Sequence, residues 1–301
     1  MRFGAHVSSS GGISKAIGRG AELGCESLQV FTHNPRTWKP INHSDEEIAA
    51  FRALAAEQGM GPLVSHGLYL MNLGAPDREV PTGPPGKPAV GTRNIHRSSI
   101  ESLVQHLVIG DALGLEGVVL HVGSSKGSTE EEAIARIGAG IAEAFDTAGG
   151  TCCVYLENTA GAGDTIGRTF AQLRAVADAV GRPERLGFCL DSQHLFASGY
   201  PVHEPGGIDR VLDEFDQVVG IDRLRCLHLN DSKTAFGSNR DRHENIGDGE
   251  IGEAGMRSIL GHPALQELPV ILEVPGIAGN GPDPENMARV RRLHEEGVAA
   301  R

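Results

Sequence analysis

The stretch Leu224–Gly252, LRCLHLNDSKTAFGSNRDRHENIGDGEIG, places His228, Asp241 and His243 close together in the chain. It opens as an apolar run that ends on His228, then passes into a polar loop carrying Asp241-Arg242-His243. Imidazole and carboxylate are ligands that borderline divalent ions such as zinc accept. An Asp-x-His pair alone is more often solvated loop than ligand, so the rest of the chain has to supply the case. Short apolar runs elsewhere end on His6, Thr32, His66, His121, Glu157, Asp191, His228 and Glu273. One such residue is ordinarily a satisfied polar group at a rim, but six consecutive runs, from His66 to Glu273, end in a possible ligand. With His194, Asp241 and His243 the set holds five histidines and four carboxylates. That exceeds the four ligands of one zinc and suits two or three ions sharing a bridging carboxylate. Clustered ions in an open cleft match a phosphodiester: they supply a nucleophile near neutral pH and offset charge on the phosphate oxygens.

The elements that must position these residues alternate. Strands are expected near Phe3–Val7, Leu28–Phe31, Leu63–Ser65, Val118–Leu120, Val154–Leu156, Leu186–Leu190, Arg225–Leu227 and Val270–Leu272. Helical patterns lie between them, among them Gly12–Leu23, Ser44–Glu57, Glu130–Phe145, Phe170–Val180 and Pro284–Leu293. Ser44 before Glu47 and Thr129 before Glu132 have the spacing of a capping box. Eight strand–helix units predict one α/β domain over residues 1–301, a TIM (β/α)8 barrel with its site at the C-terminal ends of the strands. Asp77–Arg93, DREVPTGPPGKPAVGTR, interrupts the third unit; its prolines exclude a helix or central strand and predict an extended loop on the ligand-bearing face. Gly297–Arg301 reads as a short flexible tail. Gly161-Ala162-Gly163 and Gly247-Asp248-Gly249 lack the Lys-Ser/Thr of a P-loop and read as tight loops that bring backbone to the site.

Composition narrows the classes. The chain has 301 residues, 40% hydrophobic, with a net charge of −12. That balance argues against a broad basic surface for nucleic acid but leaves room for positive charge concentrated in one cleft, which bound ions supply compactly. The five cysteines show no CxxC spacing, as expected of reduced, buried thiols. No apolar signal region opens MRFGAHVSSSGG and no run approaches the ~18 residues of a membrane span, so a cytoplasmic protein without a membrane partner is expected.

Over essentially its full length the sequence resembles the endonuclease IV family of apurinic/apyrimidinic (AP) endonucleases. The matching pieces are GAHVS at Gly4–Ser8, FTHNPRTW at Phe31–Trp38, HGLYLMNLG at His66–Gly74, LENTAGAG at Leu156–Gly163, LDSQHLFASGY at Leu190–Tyr200, LHLNDSK at Leu227–Lys233, DRHENIGDGEIG at Asp241–Gly252 and LEVP at Leu272–Pro275. The resemblance implies three zinc ions on a TIM barrel; His/carboxylate sets also accept manganese or iron, which stay open as alternatives in individual sites. It assigns His66, His121 and Glu157 to the first ion. Glu157, Asp191, His228 and Glu273 go to the second, and His194, Asp241 and His243 to the third. It implies hydrolysis of the phosphodiester 5′ to an abasic site in double-stranded DNA, with Glu157 and Glu273 as catalytic carboxylates and 3′-end cleaning as a further activity. It also implies that a monomer inserts Arg36, Tyr69 and Leu70 into the duplex at the lesion.

The chain departs from the family pattern at Val122 after His121, at Ser192-Gln193 before His194, and at Val274 after Glu273. These changes bear on the surroundings of the ligands and remove none of them. A single-ion sugar-phosphate isomerase or epimerase would use only Glu157, Asp191, His228 and Glu273. A non-catalytic abasic-DNA binder would be expected to lack a ligand such as Glu157 or Glu273. The Asp77–Arg93 insertion is expected to flank the DNA groove, with Lys87 and Arg93 as its phosphate contacts.

Overall fold

The structure is a computed structural model that describes residues 1–83 and 89–301. Eight parallel strands close a barrel: β1 (Arg2–Val7), β2 (Ser27–Val30), β3 (Leu63–His66), β6 (Gly117–Leu120), β7 (Cys153–Glu157), β8 (Leu186–Asp191), β9 (Leu224–His228) and β12 (Pro269–Leu272). Their order around the barrel is β1-β12-β9-β8-β7-β6-β3-β2. The remaining strands form two small antiparallel pairs, β4 (Glu79–Thr82) with β5 (Gly91–Asn94), and β10 (Asp231–Ser232) with β11 (His243–Glu244). Around the barrel lie α1 (Lys15–Glu22), α2 (Asp45–Glu57), α3 (Ile95–Leu113), α4 (Glu130–Ala148), α5 (Phe170–Val180), α6 (Ser192–Ser198), α7 (Gly207–Val218), α8 (Gly252–Leu260) and α9 (Pro284–Ala299). No described helix is long and apolar enough to cross a membrane.

All eight expected barrel strands are present. Of the two expected capping boxes, Thr129–Glu132 is complete. Ser44 caps the Glu47 amide, but the Glu47 carboxylate turns away to Ser14 and ties α2 to the start of α1.

Side chains alternate across each strand, and this alternation builds the site. Val118 and Leu120 face the helices while Val119 faces the barrel axis; Val154 and Leu156 flank inward Tyr155 in the same way. Val64, Val119, Tyr155, Cys189, Cys226 and Ile271 form a separate buried cluster inside the barrel. Two residues further along the same six strands stand His66, His121, Glu157, Asp191, His228 and Glu273. A dry apolar layer therefore floors a layer of potential ligands, the arrangement a packed barrel interior imposes.

The described residues of Asp77–Arg93 are not a featureless loop. Glu79–Thr82 and Gly91–Asn94 pair antiparallel, with Pro81 opposite Thr92. An isolated two-stranded hairpin tolerates proline because one side of each strand has no ladder to complete. Pro84, Pro85, Lys87 and Pro88 lie outside the described residues. Gly297–Ala299, expected to belong to a flexible tail, continue α9, and Arg301 is ion-paired to Asp209 at 2.7 Å. The packing of Gly297 against the Arg257 carbonyl and Gly261 explains why the helix persists: a Cβ there would fall 2.4 Å from that carbonyl oxygen.

Candidate metal centre

Glu157 lies at the middle of the barrel mouth and is fully buried. Its Oε2 is 3.2 Å from His66 Nε2 and 3.2 Å from His121 Nε2. Its Oε1 is 3.0 Å from His228 Nδ1 and 3.4 Å from His194 Nδ1. One carboxylate thus faces imidazoles on both sides. Glu273 Oε2 approaches His228 Nδ1 at 3.4 Å, and Asp191 Oδ2 lies 4.0 Å from the same atom. Beyond them, Asp241 stands 3.4 Å from both His194 Nε2 and His243 Nε2.

Four sets offer ligand atoms mutually within 4.8 Å: His66, His121 and Glu157; Glu157, Asp191, His228 and Glu273; Asp191, His194 and His243; and, beneath them in the barrel interior, Cys189, Cys226 and His228. All nine residues singled out in the sequence converge here. Thr32 does not. It lies beyond β2, where its carbonyl accepts from His43, and the inward residue of β2 is Gln29.

Four of the five histidines have one ring nitrogen occupied by a neighbouring oxygen. His66 Nδ1 donates to the Gly67 carbonyl at 2.8 Å, His194 Nδ1 to Asn158 at 3.0 Å and His243 Nδ1 to Glu273 at 3.3 Å. His228 Nε2 donates to Gln29 Oε1 at 2.8 Å. Each bond fixes a tautomer and leaves the other nitrogen with its lone pair toward a carboxylate of the centre, Glu157 for His66 and His228 and Asp241 for His194 and His243, as the surroundings of a metal ligand do. The inward Nε2 atoms of His194 and His243 are buried with no hydrogen-bond partner. A buried polar atom left unpaired costs free energy, and a cation among these donors relieves it. The donor set fits a cluster of metal ions.

Electrostatics agree. Burial opposes charge on Glu157, yet His121, His228 and His194 hold its carboxyl well below the ordinary range. Glu273 is likewise held down against burial, by His228 and His6. Burial also pulls His194 and His228 down, but Asp191 and Asp241 raise the first and Glu273 and Glu157 raise the second, both well above 6.5.

Several positioning residues were not legible as such. Gln29 bonds His228, His6 and Glu273 together, with its Nε2 2.6 Å from Glu273 Oε1. Asn230 donates to Asp191 Oδ2 at 2.6 Å and accepts the Glu273 amide at 2.9 Å. Gln193, one of the departures from the family pattern, donates to the Arg240 carbonyl at 2.9 Å and so holds the residue next to Asp241.

Asp231 does more than any of these for the loop. Its buried carboxylate accepts the amides of Gly247, Gly249, Ile251 and Gly252 at 2.9 to 3.3 Å. The Gly247–Gly249 turn therefore wraps an internal anion instead of bringing backbone to the centre. Gly249 has to be glycine, since a Cβ would fall 2.5 Å from Asp231 Oδ1.

A cavity of about 430 Å³ opens over the centre between Phe31, Tyr69 and Pro282. Tyr69, 62% exposed, stands at its edge with its ring against Phe31 at 5.1 Å. Leu70 beside it is half-buried and Arg36 is exposed. Arg93, expected to be a free phosphate contact, is instead half-buried, 5.5 Å from the Trp38 ring centroid and donating to Ser98.

Comparison with known proteins identifies the family and the fold. A family model described as xylose isomerase-like TIM barrel matches residues 17–294. A probable endonuclease 4 of Methanoculleus marisnigri is 40% identical over 291 residues, 96% of this chain and 98% of that one. The crystal structure of endonuclease IV from Thermus thermophilus superposes with a TM-score of 0.80 at 33% identity, covering all of both chains. A D-tagatose 3-epimerase-like protein, at 16% identity and a TM-score of 0.69, shares the fold. The chain belongs to the endonuclease IV family of apurinic/apyrimidinic endonucleases, built on a xylose isomerase-like TIM barrel.

Proposed function

We propose that this chain is a three-zinc AP endonuclease that hydrolyses the phosphodiester 5′ to an abasic site, leaving a 3′-hydroxyl and a 5′-deoxyribose phosphate, and that it also clears blocked 3′ ends. The observation that carries this reading is the Glu157 carboxylate, flanked on one oxygen by His66 and His121 and on the other by His228 and His194. A carboxylate so placed would serve two ions. His66 and His121 would complete the first site, and Asp191, His228 and Glu273 the second. His194, Asp241 and His243 would hold the third.

When bound, the ions supply a nucleophile near neutral pH and positive charge against the phosphate oxygens. The chain supplies the geometry. Gln29 and Asn230 hold Glu273 and Asp191 in place, and the apolar floor beneath keeps water from reaching the ligands from below. Tyr69 and Leu70, at the rim, replace the stacking lost at an abasic site, and Arg36 braces the opened duplex. The enzyme acts as a cytoplasmic monomer on double-stranded DNA. A single-ion epimerase would leave His66, His121, His194, Asp241 and His243 idle.

The test is incubation with an end-labelled abasic duplex before and after chelation, with zinc added back and the product ends mapped. Expected is incision 5′ to the lesion that disappears with chelator and returns with zinc. Incision that survives complete metal removal, or a fully loaded chain with a single ion and no incision, overturns the proposal.

A further inference from the structure

The barrel interior is layered by the softness of its donors. The strand ends carry imidazole and carboxylate, which suit borderline and hard ions. The layer beneath carries two thiols, Cys189 on β8 and Cys226 on β9, for which the chemistry above has no use. Their neighbours in that layer are Val64, Val119, Tyr155 and Ile271.

A shift of register brings the thiols together. Phe188 stands opposite Leu224, yet Cys189 stands opposite Cys226 and not opposite Arg225. The extra residue on β9 is thus taken up at Arg225, whose side chain is exposed. Without the shift, Cys189 would face Arg225 and Asp191 would face Leu227. With it, Cys189 lies beside Cys226 and Asp191 beside His228. Both layers are aligned by the same irregularity.

Cys189, Cys226 and His228 are all fully buried. The two sulfurs and an imidazole nitrogen of His228 lie within 4.8 Å of one another. Two sulfurs on one tetrahedral ion, at bonds of about 2.3 Å, stand about 3.8 Å apart, so these donors need little movement to close on a cation. Cys152 and Cys153 turn their thiols to backbone carbonyls at 3.8 and 3.7 Å, whereas among the described residues Cys189 and Cys226 bond to no carbonyl. Below, the Tyr155 ring fills the barrel so closely that a Cβ on Gly117 or Gly187 would fall 2.8 Å from it. An ion therefore reaches the thiols from the mouth, past His228.

We propose that Cys189, Cys226 and His228 form a separate cation site for a thiophilic ion, cadmium or cuprous copper, and that filling it excludes the second ion of the centre. Thiolates select soft ions, while the layer above favours harder ones. The exclusion follows from His228, which both layers share. Its Nδ1 faces Glu157 at 3.0 Å and Glu273 at 3.4 Å, and Gln29 holds its Nε2 at 2.8 Å. An imidazole drawn down to the thiols leaves the second site with carboxylates alone. On binding, each thiol gives its proton to solvent and each sulfur forms one bond to the metal, with no change of oxidation state. The thiol site stands apart from the AP-endonuclease reading, and the exclusion rests on the three-ion part of it.

The test adds one equivalent of cadmium to the zinc-loaded chain under reducing conditions. It reads the ultraviolet thiolate-to-cadmium charge-transfer band, the protons released and the zinc set free. Wild type should show the band, with two protons and one zinc released per chain. Cys189→Ala and Cys226→Ala should each weaken the band, and the double variant should lose it together with the extra zinc release. Cys153→Ala, altering a half-buried thiol at the start of β7, should match wild type. A thermal melt of each variant checks the fold. Cadmium NMR of the wild type reports sulfur ligation with no substitution at all, and decides the matter if the double variant does not fold. No band in wild type, a band that survives in the double variant, or a cadmium shift without sulfur overturns the site. A band accompanied by no more zinc release than in the double variant overturns the exclusion. If the zinc-loaded chain holds fewer than three ions, the three-ion reading is what fails, and the band and the cadmium shift still decide on the thiol site.

Discussion

Replacing Glu157 by glutamine is the sharpest perturbation of the centre, because the change is nearly isosteric and its consequences can be worked from four distances. The carboxylate oxygens face His66 and His121 at 3.2 Å each, and His228 and His194 at 3.0 and 3.4 Å. Glutamine keeps one acceptor oxygen and turns an NH2 toward one of these pairs, where only an acceptor or a shared ion fits. Bonds to a charged group are worth about 1.5–3 kcal/mol each, so losing two amounts to about 3–6 kcal/mol of ion binding. At about 1.4 kcal/mol per decade, affinity at the bridged sites should fall by roughly 10²–10⁴. The fold should survive, because the barrel's apolar layers do not depend on this group. The assay combines metal analysis of dialysed protein, thermal melting, and single-turnover incision of an abasic duplex at saturating zinc. Expected are lost ions, a cooperative melt, and incision slowed by at least the lower end of that range; Glu157→Asp, which keeps the charge on a shorter arm, should fall between. A Gln variant with wild-type ion content and wild-type incision would refute the bridging role.

Gln29→Leu removes the acceptor that orients His228 and the donor that steadies Glu273, so ion affinity should fall about 10–100-fold without loss of the barrel; unchanged affinity would reduce Gln29 to packing. Tyr69→Ala should weaken binding to abasic duplex more than to intact duplex, by about 1–3 kcal/mol for one stacking contact, and equal losses on both DNAs would return Tyr69 to rim packing. The pH dependence has a definite sign. In metal-free protein the raised His194 and His228 contribute stability that is complete below 6.5 and lost as pH climbs through their folded values. The depressed Glu157 and Glu273 contribute stability that is present above 4.5 and lost as pH falls through theirs. Ions require deprotonated imidazole. The gap in melting temperature between zinc-loaded and chelated protein should therefore widen from about pH 6 to about pH 8, and a gap that narrows over this range would contradict the electrostatic account.

Much of this was readable in the chain because a parallel barrel strand has a period of two and an abrupt end. Tyr155-Leu156-Glu157 and Cys226-Leu227-His228 show the rule: inward floor, outward core, inward ligand. Gln29 obeys the same rule on β2 yet was passed over for Thr32, because its amide does not advertise itself as a ligand and the strand stops one residue earlier than its apolar run suggests. Asp231, Asn230 and Gln193 were illegible for a different reason. Their partners are backbone amides, carbonyls and carboxylates distant in sequence, and nothing in a local pattern says which loop will fold back on them. The hairpin at Glu79–Asn94 was hidden by its prolines, which rule out a central strand but not an isolated pair.

The amides gathered on Asp231 form the kind of nest that in other proteins receives a phosphate, and here the chain fills it with its own anion. Asp231, the first residue of β10, thus acts as a template for the turn that follows Asp241 and His243. Since one carboxylate holds Gly247, Gly249, Ile251 and Gly252, their protection against hydrogen exchange should rise and fall together as a single unit. The centre thus draws on two kinds of support: Glu157 and His228 stand on barrel strands, while Asp241 and His243 stand next to a turn folded around the chain's own anion.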